Sequence, residues 1–225
     1  MKRFLFLLVV FVFAANAASA QIVNEIIKRI DTHSKTLKSV ECSLTITRFS
    51  AETGSFTKEG RIKFLSLRDD YSLRFDAAKP VAESLSIFDR QYTLYTPNTL
   101  TAYTGAVTAA QTNVFAIFAL LPNFSTKRLK SEFGIRYIGE EKSGGATAWH
   151  LELTPKAARD NYKTIELWID RDGMPIGSKT NENGGDSTTV VLADIKKNLT
   201  LTAADFKLKL PKNVRTVKAA PPKKK

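Results

Sequence analysis

Catalysis in this chain would have to begin at its two histidines or its single cysteine, and their surroundings argue against it. His33 lies in a stretch of helical periodicity and His150 in a stretch of strand alternation, far apart along the chain. No G-x-S-x-G, H-E-x-x-H, C-x-x-C or phosphate-binding glycine loop occurs, so no nucleophile has a base spaced to activate it. Asp170-Arg171-Asp172-Gly173 echoes the opening of a calcium loop but lacks the later ligands, which makes it a hairpin turn. Asn123-Phe124-Ser125 and Asn198-Leu199-Thr200 fit a glycosylation sequon, a pattern short enough to arise by chance. Cys42 reads as a small apolar residue on a strand. The expectation is a protein that is not an enzyme and needs no cofactor or metal.

The positioning elements follow a leader. Lys2 and Arg3 precede an apolar run from Phe4 to Ala15 and the small-residue triplet Ala18-Ser19-Ala20, the layout of a cleavable secretory signal over residues 1–20. That run is about a dozen residues, short of the roughly 20 that a spanning helix needs, so an uncleaved anchor is the weaker reading. With no cysteine at the cleavage point, a soluble exported protein is expected. One domain over residues 21–213 and a basic, disordered tail over 214–225 are expected to remain. Losing Lys2 and Arg3 takes the formal charge from +12 to +10. Export argues against nucleic acid as the partner, and basic residues alternating with apolar ones read as solvated strand faces.

Ile22, Val23, Ile26, Ile27, Ile30, Leu37 and Val40 recur at helical steps, giving an amphipathic helix whose apolar face must dock. From Glu41 the period becomes two. Cys42, Leu44 and Ile46 open a series of strands that continues through Arg61 to Leu67, Tyr71 to Phe75, Leu85 and Ile87, Tyr92 and Leu94, and Thr99 to Tyr103. Between Thr112 and Leu121 apolar residues crowd a segment that Pro122 closes, which suits a helix buried on most sides. Strands resume at Trp149, Leu151 and Leu153, then Ile165 to Ile169, then Val191, Ala193 and Ile195, and finally Phe206, Leu208 and Leu210. About ten antiparallel strands and two or three helices give an α+β fold: a strongly curved sheet forming a half-open barrel, with helices over its concave face.

Leu151-Glu152-Leu153-Thr154-Pro155-Lys156-Ala157 is similar to the L-x-P-K strand end of the LolA-like outer-membrane lipoprotein carrier family. Ile165 to Ile169, the Asp172-Gly173 turn, Asp186-Ser187-Thr188-Thr189, Asn198, Asp205-Phe206 and Leu210-Pro211 keep that family's order. The N-terminal half resembles it more loosely. Leu67-Arg68-Asp69 stands where the family has K-R-P, Phe75 stands near a family tryptophan, and Asp89-Arg90-Gln91 replaces a glycine-lysine turn.

The resemblance implies a periplasmic transport chaperone of outer-membrane biogenesis. Such a carrier holds the acyl chains of lipoproteins in a hydrophobic cavity, receiving them from an inner-membrane lipoprotein-releasing ABC transporter and delivering them to an outer-membrane acceptor lipoprotein, as a monomer. Each buried methylene is worth about 0.8 kcal/mol, so such cargo needs an oily container. The candidate lining is Leu44, Ile46, Ile62, Phe64, Leu73, Phe75, Leu85, Ile87, Tyr92, Leu94, Leu151, Leu153, Leu167 and Ile169; alternation does not separate residues that touch ligand from residues that pack on helix one. Val114, Phe115, Phe118 and Leu121 are expected on a lid helix or, alternatively, on a plain core helix. Arg68 matches a lid-closing arginine of the family or is an ordinary turn residue. The alternatives are a carrier of another lipid class and a periplasmic sensing regulator with the same half-barrel, as in RseB-like proteins.

Overall fold

The computed structural model describes residues 21–67, 70–107, 126–157 and 162–218. The expected signal segment, Arg68, and the lid residues Val114, Phe115, Phe118 and Leu121 lie outside the described residues.

A helix α1 over residues 21–36 leads into six strands: β1 (Ser39–Ser50), β2 (Gly54–Ser66), β3 (Tyr71–Lys79), β4 (Glu83–Phe88), β5 (Gln91–Thr96) and β6 (Thr101–Ala106). A short helix α2 (Thr126–Glu132) precedes β7 (Phe133–Ser143), β8 (Ala146–Pro155), β9 (Tyr162–Ile169), β10 (Pro175–Glu182) and β11 (Ser187–Lys197). The four-residue helix α3 (Ala203–Phe206) and β12 (Arg215–Lys218) follow. All twelve strands form one sheet in the order β12-β6-β5-β4-β3-β2-β1-β11-β10-β9-β8-β7. The pairing is antiparallel except between β12 and β6, and no bonds join β12 to β7, so the barrel stays open.

The alternation is legible in the register. Val40, Cys42 and Leu44 face Phe64, Ile62 and Gly60; Phe64 and Ile62 face Leu73 and Phe75; these face Ile87 and Leu85, which face Tyr92 and Leu94. Across the β1–β11 seam, Leu44 and Ile46 face Leu192 and Val190, and the same face continues through Ser178 and Leu167 to Leu151 and Tyr137. Because side chains change face at every residue of a strand, these pairings put one apolar surface on one side of the sheet.

Four sequence expectations need correction. The first helix ends at residue 36, so Val40 belongs to β1. In β11 the inward residues are Val190 and Leu192, 1% and 4% exposed, rather than Val191 and Ala193. A bulge at Glu41/Ser43 opposite Asp194 (φ 52°) shifts the phase, after which Ile195 again packs on the core. Phe206, Leu208 and Leu210 do not form a strand: Thr202 and Asp205 make a capping box that winds residues 203–206 into α3. Residues 215–218, expected in the disordered tail, form β12.

α3 and the residues after it cross the outer face of β3 and β4. Phe206 is fully buried there, and its carbonyl accepts a hydrogen bond from Ser86 Oγ at 2.6 Å. Lys63 Nζ donates to Asp205 Oδ1 at 2.7 Å, which together with the Thr202 bonds lowers the Asp205 carboxyl from 3.8 to about 2.

Candidate functional site

All fourteen candidate lining residues named from the sequence stand on the same face of the sheet, and they divide between two clusters. The first spans β1–β4, β10 and β11. It holds Leu44, Ile62, Phe64, Leu73, Phe75, Leu85 and Ile87, with Ile46, Tyr92 and Leu94 packed against it. Val40, Cys42, Val190, Leu192, Met174 and Ile176 also belong to it and were not among the candidates. Val190 and Leu192 were missed because a bulge reversed the apparent phase. Ile176 was missed because Ser178 and Thr180 follow it on the same face and give β10 no apolar alternation.

The second cluster holds Leu151, Leu153, Leu167 and Ile169 beneath Ile26, Ile27 and Ile30 of α1 and Leu129 of α2. Phe133, Ile135 and Tyr137 of β7 pack against it. Their alternation with Gly134 and Arg136 was a readable signal for a strand. Ile26, Ile27 and Ile30 are each at most 4% exposed, which stabilises the docked helix by about 1.5–3 kcal/mol per side chain.

Two glycines set how closely parts of this surface approach. A Cβ on Gly60 would fall 2.3 Å from the Asp76 carbonyl and 2.8 Å from the Phe75 ring, so the absence of a side chain lets that ring come close to β2. Gly173, at φ +91° in the β9–β10 turn, sits so near α1 that a Cβ would meet the Arg29 carbonyl at 2.4 Å. The turn therefore abuts the helix backbone. Arg29 strengthens the contact: its Nη1 donates to the Arg171 carbonyl at 2.9 Å, and its guanidinium lies 5.3 Å from the Trp149 ring centre. Lys197 Nζ reaches Asp170 at 3.2 Å and Asp172 at 3.1 Å, bracing the turn from β11. The Asp-Arg-Asp-Gly sequence is thus a hairpin turn whose carboxylates are held by a lysine.

The groups inspected for chemistry lie in separate places. Cys42 is completely buried in the first cluster, and burial raises its thiol to about 12. His150 stands on the opposite face of the sheet, with Nδ1 at 2.9 Å from Glu141, Nε2 at 3.0 Å from Glu166, and its ring stacked on Trp168 at 4.7 Å. It clasps β7, β8 and β9 together. His33, on α1, is 8% exposed and its Nε2 has no hydrogen-bond partner; burial is the first cause lowering its basicity, and Lys197 adds to it. No described helix is long and apolar enough to cross a membrane.

Comparison with known proteins agrees with this geometry. The family model for outer membrane lipoprotein carrier protein LolA matches residues 59–209, from the second strand to the segment after α3. The chain belongs to the LolA family. LolA-like proteins are extracytoplasmic. Among solved structures, the fold is similar to MucB, at 17% identity and a TM-score of 0.57 over 83% of this chain and 62% of MucB. The chain therefore spans about three fifths of that relative. An uncharacterized conserved protein from Thermus thermophilus superposes at 0.53 with 16% identity, over 88% of this chain and 99% of the other. Mycobacterium tuberculosis lipoprotein LppX also superposes at 0.53, with 11% identity over 80% and 96% of the two chains. No curated protein gives a significant sequence match.

Proposed function

We propose that this LolA-family chain is a periplasmic carrier that takes up the acyl chains of lipoproteins on the concave face of its open sheet and shields them during transfer from inner to outer membrane. One observation carries the reading: an unclosed sheet of twelve strands among the described residues, whose inner face holds two large apolar clusters. A sixteen-carbon chain left in water costs on the order of 12 kcal/mol, so a few surface contacts do not suffice.

The face is already withdrawn from water in this state. Leu73 and Ile62 are fully buried, and Phe75 and Leu85 are 8% exposed. Loading therefore exchanges protein contacts for acyl contacts of similar chemistry, a near-balanced exchange that permits release as well as capture. In this reading the protein does no covalent chemistry. It meets a lipoprotein-releasing ABC transporter on one side and an acceptor lipoprotein on the other.

A second reading is favoured by the likeness to MucB, whose structure is also known in a complex with MucA of Pseudomonas aeruginosa. In that reading the half-barrel senses lipid and binds a regulatory protein. Native mass spectrometry of the protein purified without denaturant separates the two. Adducts of lipid or acylated protein and tight binding of a fluorescent fatty acid are expected for the carrier. A delipidated preparation that binds no acyl probe would sink both readings. Specific capture of a membrane-bound regulator with no lipoprotein would leave the second.

A further inference from the structure

A groove of ≈ 470 Å³ runs between α1, the β9–β10 turn and the end of β11, apart from the apolar face. Its lining is polar: Glu25, Lys28, Arg29, Thr32, His33 and Thr36 from the helix, Arg171 and Asp172 from the turn, and Lys197 and Asn198 from β11 and just beyond it, with Leu37 as the apolar exception. Cations outnumber carboxylates by four to two.

Both carboxylates are already engaged, Glu25 by Arg29 at 2.9 Å and Asp172 by Lys197 at 3.1 Å. Lys28 and Arg171 form no ion pair among the described residues, so two cations on facing elements remain uncompensated. His33, 8% exposed, adds a ring whose Nε2 has no partner. We propose that this groove binds a phosphate ester the size of a glycerophosphate, whether it is carried by a phospholipid headgroup or free in solution.

A guanidinium and an ammonium contributed to one groove by two different elements suit an anion with several acceptor oxygens. The volume falls in the range of small-molecule sites, roughly 300–1,000 Å³, and exceeds what a bare anion fills. Thr32 and Thr36 spend their hydroxyl protons on helix carbonyls, at 3.0 Å for Thr32 on Lys28 and 3.0 Å for Thr36 on His33. Their lone pairs are left to accept from the glycerol hydroxyls of such a ligand. The formal net charge, +12 over the whole sequence and +10 without Lys2 and Arg3, draws anions toward the protein generally, and the groove gives them a place to stop.

The test uses residues 21–225, with sn-glycerol 3-phosphate as the soluble probe and vesicles of phosphatidylglycerol or phosphatidylcholine as the membrane probe. Glycerol 3-phosphate is expected to bind with a Kd of about 1 mM, weakening with salt and moving the His33 imidazole resonances while those of His150 stay fixed. The exposed double substitution Lys28→Glu, Arg171→Glu should weaken binding at least about tenfold without loss of folding. Competition of phosphatidylglycerol vesicles for the His33 response assigns the headgroup as the source; a soluble response with no vesicle competition assigns a free ester. Absence of any glycerol 3-phosphate response overturns the proposal, as does binding that the double substitution leaves unchanged. Fluorescent fatty acid binding, measured on the same variant, stays intact if only this groove is altered, so failure of the acyl-carrier reading registers separately.

Discussion

The two halves of the concave face are built from the same kind of strand but are closed differently. Over β7–β9 the apolar face is plugged by α1, which sends Ile26, Ile27 and Ile30 into the cluster and whose backbone is braced by Gly173, Arg29 and the lysine-held turn. Over β1–β4 the cluster is equally dry, yet it holds no residue of α1, only Leu37 just past the helix end. The first region resembles an ordinary sheet-helix core, held by specific contacts at both ends of the interface. The second has its specific anchor outside, where Phe206 and Asp205 hold the C-terminal segment to the outer face. Among the described residues, one half is pinned from the inside and the other from the outside, and the two are expected to differ in how readily they open.

The largest expected effect comes from truncating matched leucines in the two halves. Leu167→Ala and Leu85→Ala should each lower unfolding free energy by about 2–5 kcal/mol, read by urea denaturation. Only Leu85→Ala should also weaken binding of a fluorescent fatty acid. Equal losses of probe affinity in both variants would erase the distinction between plug and receiving face.

Gly173→Ala tests the pinning of α1. The added methyl meets the Arg29 backbone and must adopt a positive φ, so a loss of about 1–3 kcal/mol is expected. Hydrogen exchange should show amides of α1 losing protection before those of β1–β4. Uniform loss across the sheet would mean that the turn braces the whole fold instead.

Asp205→Asn tests the outer anchor of the first half. The folded carboxyl is depressed, so its contribution is complete above the ordinary 3.8 and is lost as pH falls through about 2. Wild type should exceed the variant in stability near neutrality and converge with it in strong acid, as followed by urea midpoints. A gap independent of pH would show that Lys63 does not set this carboxyl.

The smallest effect is kinetic. Cys42, buried in the first cluster with its thiol raised to about 12, should resist alkylation until that face opens. A fatty acid seated there should slow labelling further. Faster labelling on addition of the probe would place the ligand elsewhere.

Much of this comparison was legible in the residues. Strict alternation over Cys42 to Ile46, Ile62 to Phe64 and Leu151 to Leu153 marked the inner face, and the helical period of Ile26, Ile27 and Ile30 marked a docking surface. β10 was not legible, because Ser178 and Thr180 occupy the inner face opposite Leu167 and Ile165 and remove its apolar signal. α3 was hidden by the accidental period of Phe206, Leu208 and Leu210, although Thr202 and Asp205 carried its capping signal.

Local sequence determined which side of each strand and helix is oily, since that follows from periods of two and 3.6 residues. Tertiary structure alone decided that β1 pairs with β11, that the C-terminal segment crosses the outer face to add β12 beside β6, and that α1 fills one half of the hollow more than the other. Those choices depend on backbone hydrogen bonds between segments distant in the chain, such as Asn198 N–H to the Ser39 carbonyl and Arg215 N–H to the Leu100 carbonyl, and on a bulge that resets register. No local period encodes such pairings, because the free energy that selects them exists only once the distant surfaces meet.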